Sequence, residues 1–240
     1  MIAKDALMYA DGATLYYNGS AVSGVTLSTA SDMIPKQIVS MGAYAVIFPD
    51  KIYVNTASLT DHGSLDATFT SVTDADVTYQ MCRVDGTDYD LTSATVSATE
   101  PTEPANGDYW IDTSADAHSL KQYSVSSGLW VAVATVYTKI GAPNIGVNFK
   151  QYDGVTISGC AYVGDNSALG AQIAALNTSH VIYARGTDYI VVVGLLDQAY
   201  TQESGAVTVK RESPALDYVT ESQNRLWGCK YGMVDGEPVN

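Results

Sequence analysis

The chain has 240 residues, of which 46% are hydrophobic and only 16% charged, with a formal net charge of −14. That composition buries a core and excludes a disordered chain. The acidic balance repels nucleic acid phosphates, so specific DNA or RNA binding is not expected.

Residues 1–60 read as a platform of β-hairpins. Met1-Ile2-Ala3-Lys4 leads straight into strand-like sequence with no signal-peptide pattern, as expected of a segment of a longer chain. Residues 6–9, an Asp11-Gly12 turn and residues 15–19 make one hairpin. Residues 36–61 make a second. There, residues 37–48 are a mostly apolar strand, Pro49-Asp50-Lys51 is a turn, and residues 52–56 alternate in a strand-favouring composition. The same hairpin pattern recurs at residues 120–133 and 181–194.

Residues 61–139 form an inserted β module. Residues 77–84 alternate as a strand and Asp85-Gly86 turns the chain. Asp85, Asp88 and Asp90 are carboxylates of the kind that bind calcium, but the loop lacks a closing Glu, and a solvated turn accounts for them. Pro101 and Pro104 then give a stiff extended lead-in, and Asn106-Gly107 a turn. Short strands follow at residues 109–111, 120–125 and 129–134. Trp110 and Trp130, with Tyr109, either build a mini-core for this small unit or offer a platform on which a sugar ring stacks.

Residues 140–212 read as a small barrel-like β insert. Strands are expected at 147–150, 155–159, 181–184, 189–196 and 207–211, with one short helix at 168–176 stopped by Asn177. Residues 213–240 return to the platform, with strands at 216–219 and 224–228. Arg225 is the one charged residue inside an apolar strand. Its planar fork suits a carboxylate across an interface, with Trp227 and Tyr53 as aromatic interface residues; the other reading is an outward-facing Arg on an alternating strand, with the two rings packed in the core. The overall expectation is an all-β protein of propeller-like blades, one or two inserted modules and one short helix.

Tyr outnumbers Phe by 17 to 3, which suits half-buried sheet faces and protein interfaces. The three cysteines, Cys82, Cys160 and Cys229, are far apart and show no C-x-x-C or zinc spacing. They are expected to be free thiols of a protein folded in a reducing cytoplasm. No run reaches the roughly 18 apolar residues of a spanning helix, and no membrane contact is expected. His62, His118 and His180 sit in unrelated contexts, so no metal site is expected. G-x-S-x-G, the phosphate-cradling loop and G-x-G-x-x-G are all missing. Neither a catalytic residue nor a cofactor is expected.

Pro101, Pro104, Gly107-Asp108, Trp110, Asp112-Thr113, Tyr123, Gly128 and Trp130 together resemble a module scattered through bacteriophage tail and tail-fibre proteins. Asp153-Gly154-Val155-Thr156-Ile157-Ser158-Gly159 resembles a second kind of phage tail insert. Asn224-Arg225-Leu226-Trp227-Gly228 is similar to a blade strand of the tail nozzle or tail-hub proteins of short-tailed phages. The resemblance implies a non-enzymatic virion component, assembled in the host bacterial cytoplasm into the tail. It implies other tail proteins as partners and a homo-oligomeric ring. The other reading is a receptor-binding module that takes a host glycan on Trp110, Trp130 and Tyr109.

Overall fold

The computed structural model describes residues 2–3, 5–29, 36–230, 232–234 and 237–239. The chain is all-β, with a single short helix among the described residues. It divides into two compact units. One combines Met1–Asp66 with Glu212–Asn240, and the other is Ala67–Arg211.

The first unit is built from consecutive antiparallel strands. Ile2–Ala3, Leu7–Asp11, Thr14–Tyr17 and Ser20–Thr26 form one four-stranded meander in chain order. Gln37–Met41, Tyr44–Phe48, Ile52–Asn55 and His62–Ser64 form another. Tyr218–Ser222 with Arg225–Cys229, and Gly232–Val234 with Glu237–Val239, add two hairpins.

The expected single strand over residues 37–48 is therefore two strands. Gly42 breaks it, with φ +57°. A two-residue hairpin loop whose first residue is a glycine at positive φ matches the right-handed twist of its flanking strands. Gly12, at φ +56°, makes the corresponding turn in the first meander. In the C-terminal hairpin the two-residue loop is Gln223-Asn224, with both residues at positive φ, 54° and 58°, the other primed turn that suits a hairpin. Counted from these turns, the three hairpins carry apolar residues at the same places. Four residues before the turn stand Met8, Ile38 and Val219, and three after it Leu15, Ala45 and Leu226. In the two meanders these side chains are buried together with Val22, Ile47 and Val54. In the C-terminal hairpin Val219 and Leu226 are only half-buried.

Where the chain leaves this unit and returns to it, Asp66 acts as a clasp. Its carboxylate accepts the Ser213 amide at 2.6 Å, the Ser213 hydroxyl at 2.7 Å and the Lys51 ammonium at 2.9 Å. Burial opposes its ionisation, but these three donors outweigh it and hold the carboxyl below its ordinary range.

The second unit has one core under three sheets. Its central sheet is antiparallel and five-stranded, in the order Ala184–Arg185, Tyr189–Val193, Tyr137–Gly141, Val77–Cys82, Tyr200–Gln202. A second sheet runs Ser179–Val181, Gly154–Ser158, Thr208–Arg211, Ala67–Thr70. The third holds Thr95–Ser97, Tyr109–Asp112, Ser119–Ser124 and Leu129–Ala132, the first two parallel. Helix Ser167–Ala175 is capped by Asn166, whose side chain accepts the Leu169 amide, and it buries Leu169 and Ile173. Ile111 and Leu120 of the third sheet join Ile140, Phe149, Ile157 and Ile190 in the same core.

Three expectations change here. The boundary expected at residues 139/140 falls inside one unit, because Val77–Cys82 pairs with both Tyr137–Gly141 and Tyr200–Gln202. The hairpin expected at 181–194 is split: Val181 pairs with Gly154, whereas Ala184–Arg185 pairs with Tyr189–Val193. Residues 147–150, expected as a strand, lie in turns between Gly141 and Gly154, and Phe149 alone turns inward to the core.

Candidate functional site

Strand Tyr109–Asp112 sends alternate side chains to opposite faces. Tyr109 and Ile111 face one way, Trp110 and Asp112 the other. The three aromatic residues expected to act together are therefore divided. Trp110 is only 4% exposed. Its indole N–H donates to the Ser97 carbonyl at 2.9 Å. The Lys121 ammonium lies 4.5 Å from its ring centre, and Trp130 meets it edge-on at 5.6 Å. Trp110 therefore has no free face for a ligand. Trp130 is half-buried between Trp110 and Tyr123, whose ring centre is 5.4 Å away. Its Nε1 is buried without a hydrogen-bond partner among the described residues.

Lys121 is held over Trp110 by Asp112, at 2.7 Å. The Lys121 ammonium and the Ser114 hydrogen bonds pull the Asp112 carboxyl down to about 2. Tyr109 lies on the core side of the same strand. It packs edge-on against Tyr89 at 5.4 Å, and its hydroxyl accepts a long hydrogen bond, 3.4 Å, from Arg83.

Of the expected interface residues, Arg225 and Trp227 share one face of strand Arg225–Cys229, and both are exposed. Trp227 is 55% exposed, and its indole N–H reaches the Ser222 carbonyl at 3.3 Å. Tyr53 sits in the second meander, half-buried and edge-on to Tyr44 at 5.7 Å. It lies across Gly63, where an added Cβ would come within 3.1 Å of its hydroxyl oxygen.

A further cluster joins residues that are far apart in the chain. The His118 ring Nδ1 is 2.8 Å from Asp197 Oδ1. Gln172, on the helix, donates to the same oxygen at 2.8 Å, and its own Oε1 accepts the Asp197 amide at 2.8 Å. Asp197 is 7% exposed. It lines a cleft of about 400 Å³ whose floor includes Met81, Leu91 and Ile111. Gln80 and Gln198 line the same cleft. Neither amide side chain, nor Asp197 Oδ2, hydrogen-bonds a described residue.

In the sequence Asp197 only ends an apolar run and His118 only precedes a strand. Their meeting depends on pairings more than fifty residues apart, and no local spacing signals it. Among the described residues no group of three or more His, Cys, Asp or Glu is placed to hold a metal ion. None of the described helices is long and apolar enough to cross a membrane. No protein-family model, curated protein or solved structure matches the chain.

Proposed function

We infer that this protein is a non-enzymatic structural component of a bacteriophage tail, and that its first unit supplies blades to a propeller-like ring made by several copies. The observation that carries the reading is the repeated hairpin. Two four-stranded antiparallel meanders have the strand order of propeller blades, and the C-terminal hairpin repeats their two-residue loop length and apolar spacing. The third copy leaves Val219 and Leu226 half-covered and Trp227 exposed beside Arg225. Aromatic residues and Arg are the side chains that dominate the buried centres of protein interfaces. The tail assignment itself rests on the resemblance of the Trp110–Trp130 module and of residues 224–228 to phage tail sequences.

Assembly of this kind needs complementary surfaces rather than catalysis. The net charge of −14 suits a channel wall past which DNA moves without sticking. The glycan reading placed on Trp110 and Trp130 has less support, because Trp110 is closed by its neighbours. Immunogold electron microscopy of phage particles, with antibody to this chain, tests the assignment. Label at the neck or proximal tail is expected. Label confined to distal fibres, or absent from all particles, would overturn it.

A further inference from the structure

The cleft beside Asp197 has a chemistry that the assembly role does not use. Gln198 and Asp197 Oδ2, both at the cleft, make no hydrogen bond to a described residue. Asp197 is not loosely placed. Gln172 grips it from a rigid helix through two hydrogen bonds, and His118 holds the same carboxylate oxygen from the other side. Both bonds to the carboxylate converge on Oδ1, which leaves Oδ2 as an oriented acceptor. The floor opposite is apolar, formed by Met81, Leu91 and Ile111. A mostly preformed cleft with an apolar floor and a few converging polar groups is the usual form of a small-molecule site.

The polar groups narrow the ligand. Among the described residues no Lys or Arg lines the cleft and Asp197 alone is charged, so an anion is repelled. The Gln198 amide offers two N–H donors and a carbonyl acceptor, while Oδ2 only accepts. An ammonium ion would satisfy the acceptors and leave the amide donors unmatched. A polyhydroxylated ring answers both, since each hydroxyl donates and accepts. Its C–H face suits the apolar floor. A volume of about 400 Å³ is near the lower end of the roughly 300–1,000 Å³ range of ligand pockets, so one ring fits better than a chain of them.

We propose that this cleft binds a single neutral pyranose unit, with Asp197 and Gln198 hydrogen-bonding its hydroxyls. The proposal is independent of the ring reading, because every residue in it belongs to the second unit.

Saturation-transfer NMR on the full chain tests it, and reads the ligand whatever the size of the assembly. The probes are the methyl glycosides of glucose, galactose, mannose and N-acetylglucosamine, with methylammonium as the cationic comparison. At least one glycoside is expected to receive saturation. Ala199→Trp, which fills the mouth from an exposed position, should abolish the signal. Gln198→Ala should weaken binding about tenfold, the loss expected for one hydrogen-bonding group. Trp227→Ala should change nothing. Silence from all four glycosides, or a signal from methylammonium alone, would overturn the proposal. So would a signal that survives Ala199→Trp. Should that variant fail to fold, Gln198→Ala decides. Its side chain is exposed and hydrogen-bonds no described residue, and unchanged binding there refutes the site.

Discussion

The two units reach an all-β structure by opposite routes. In the first, each meander strand hydrogen-bonds the strand next to it in sequence, through turns of two or a few residues. In the second, strand Val77–Cys82 pairs with strands about sixty and more than a hundred residues away. Local pairing gives repeatable modules with exposed faces. Long-range pairing encloses one deep core and, at its margin, a cleft whose polar residues come from distant parts of the chain. The comparison teaches that exposed hairpin faces and a cleft assembled from distant residues lie in different units of this molecule.

Thiol chemistry breaks the comparison most sharply, because the contrast is all-or-none. Cys229 lies in the exposed hairpin, whereas Cys82 and Cys160 are buried in the second unit. Burial pushes the Cys82 thiol up to about 12 and raises Cys160 as well, so neither supplies thiolate at neutral pH. Iodoacetamide on the protein diluted below its assembly concentration should add one group, at Cys229, by intact mass and peptide mapping. Two or three adducts would show that the second unit opens readily.

The next largest effect is energetic. Phe149 is 1% exposed in the core of the second unit. Phe149→Ala should cost about 3–5 kcal/mol through lost burial and the cavity it leaves. Hydrogen exchange should show the loss in strands Val77–Cys82 and Tyr137–Gly141 and spare strand Tyr44–Phe48. Equal loss in both units would mean that they unfold as one.

The smallest effect sharpens the description of the Trp110 face. The folded Asp112 carboxyl titrates at about 2, against 3.8 for the unperturbed group. Its contribution to stability is therefore fully present above pH 3.8 and is lost as the pH falls toward 2. Tryptophan fluorescence during acid titration should report a transition in that window, and Asp112→Asn should remove its pH dependence. A transition unchanged in Asp112→Asn would assign it to other carboxylates.

The same division explains what could be read from the sequence. The first-unit hairpins were legible because alternation and turn residues are local signals, and Asp11-Gly12 shows both. Gly42 gives no turn signal, because a lone glycine between Met41 and Ala43 interrupts an apolar run without polar turn residues. The short helix was legible to within a residue of its observed ends, Ser167–Ala175. Trp110 stood out by its residue type, but its burial depends on Lys121, Trp130 and the Ser97 carbonyl. The cleft was invisible: Gln80, Gln172 and Asp197 belong to three stretches whose proximity only long-range strand pairing creates.

The central claim is that copies of the first unit complete one another. Negative-stain electron microscopy of the purified full chain, with native mass spectrometry to count copies, tests it most directly. A closed ring of several copies, weakened by Trp227→Ala and Arg225→Ala, is the predicted result. A monomer at every accessible concentration, or an oligomer indifferent to both substitutions, would contradict it.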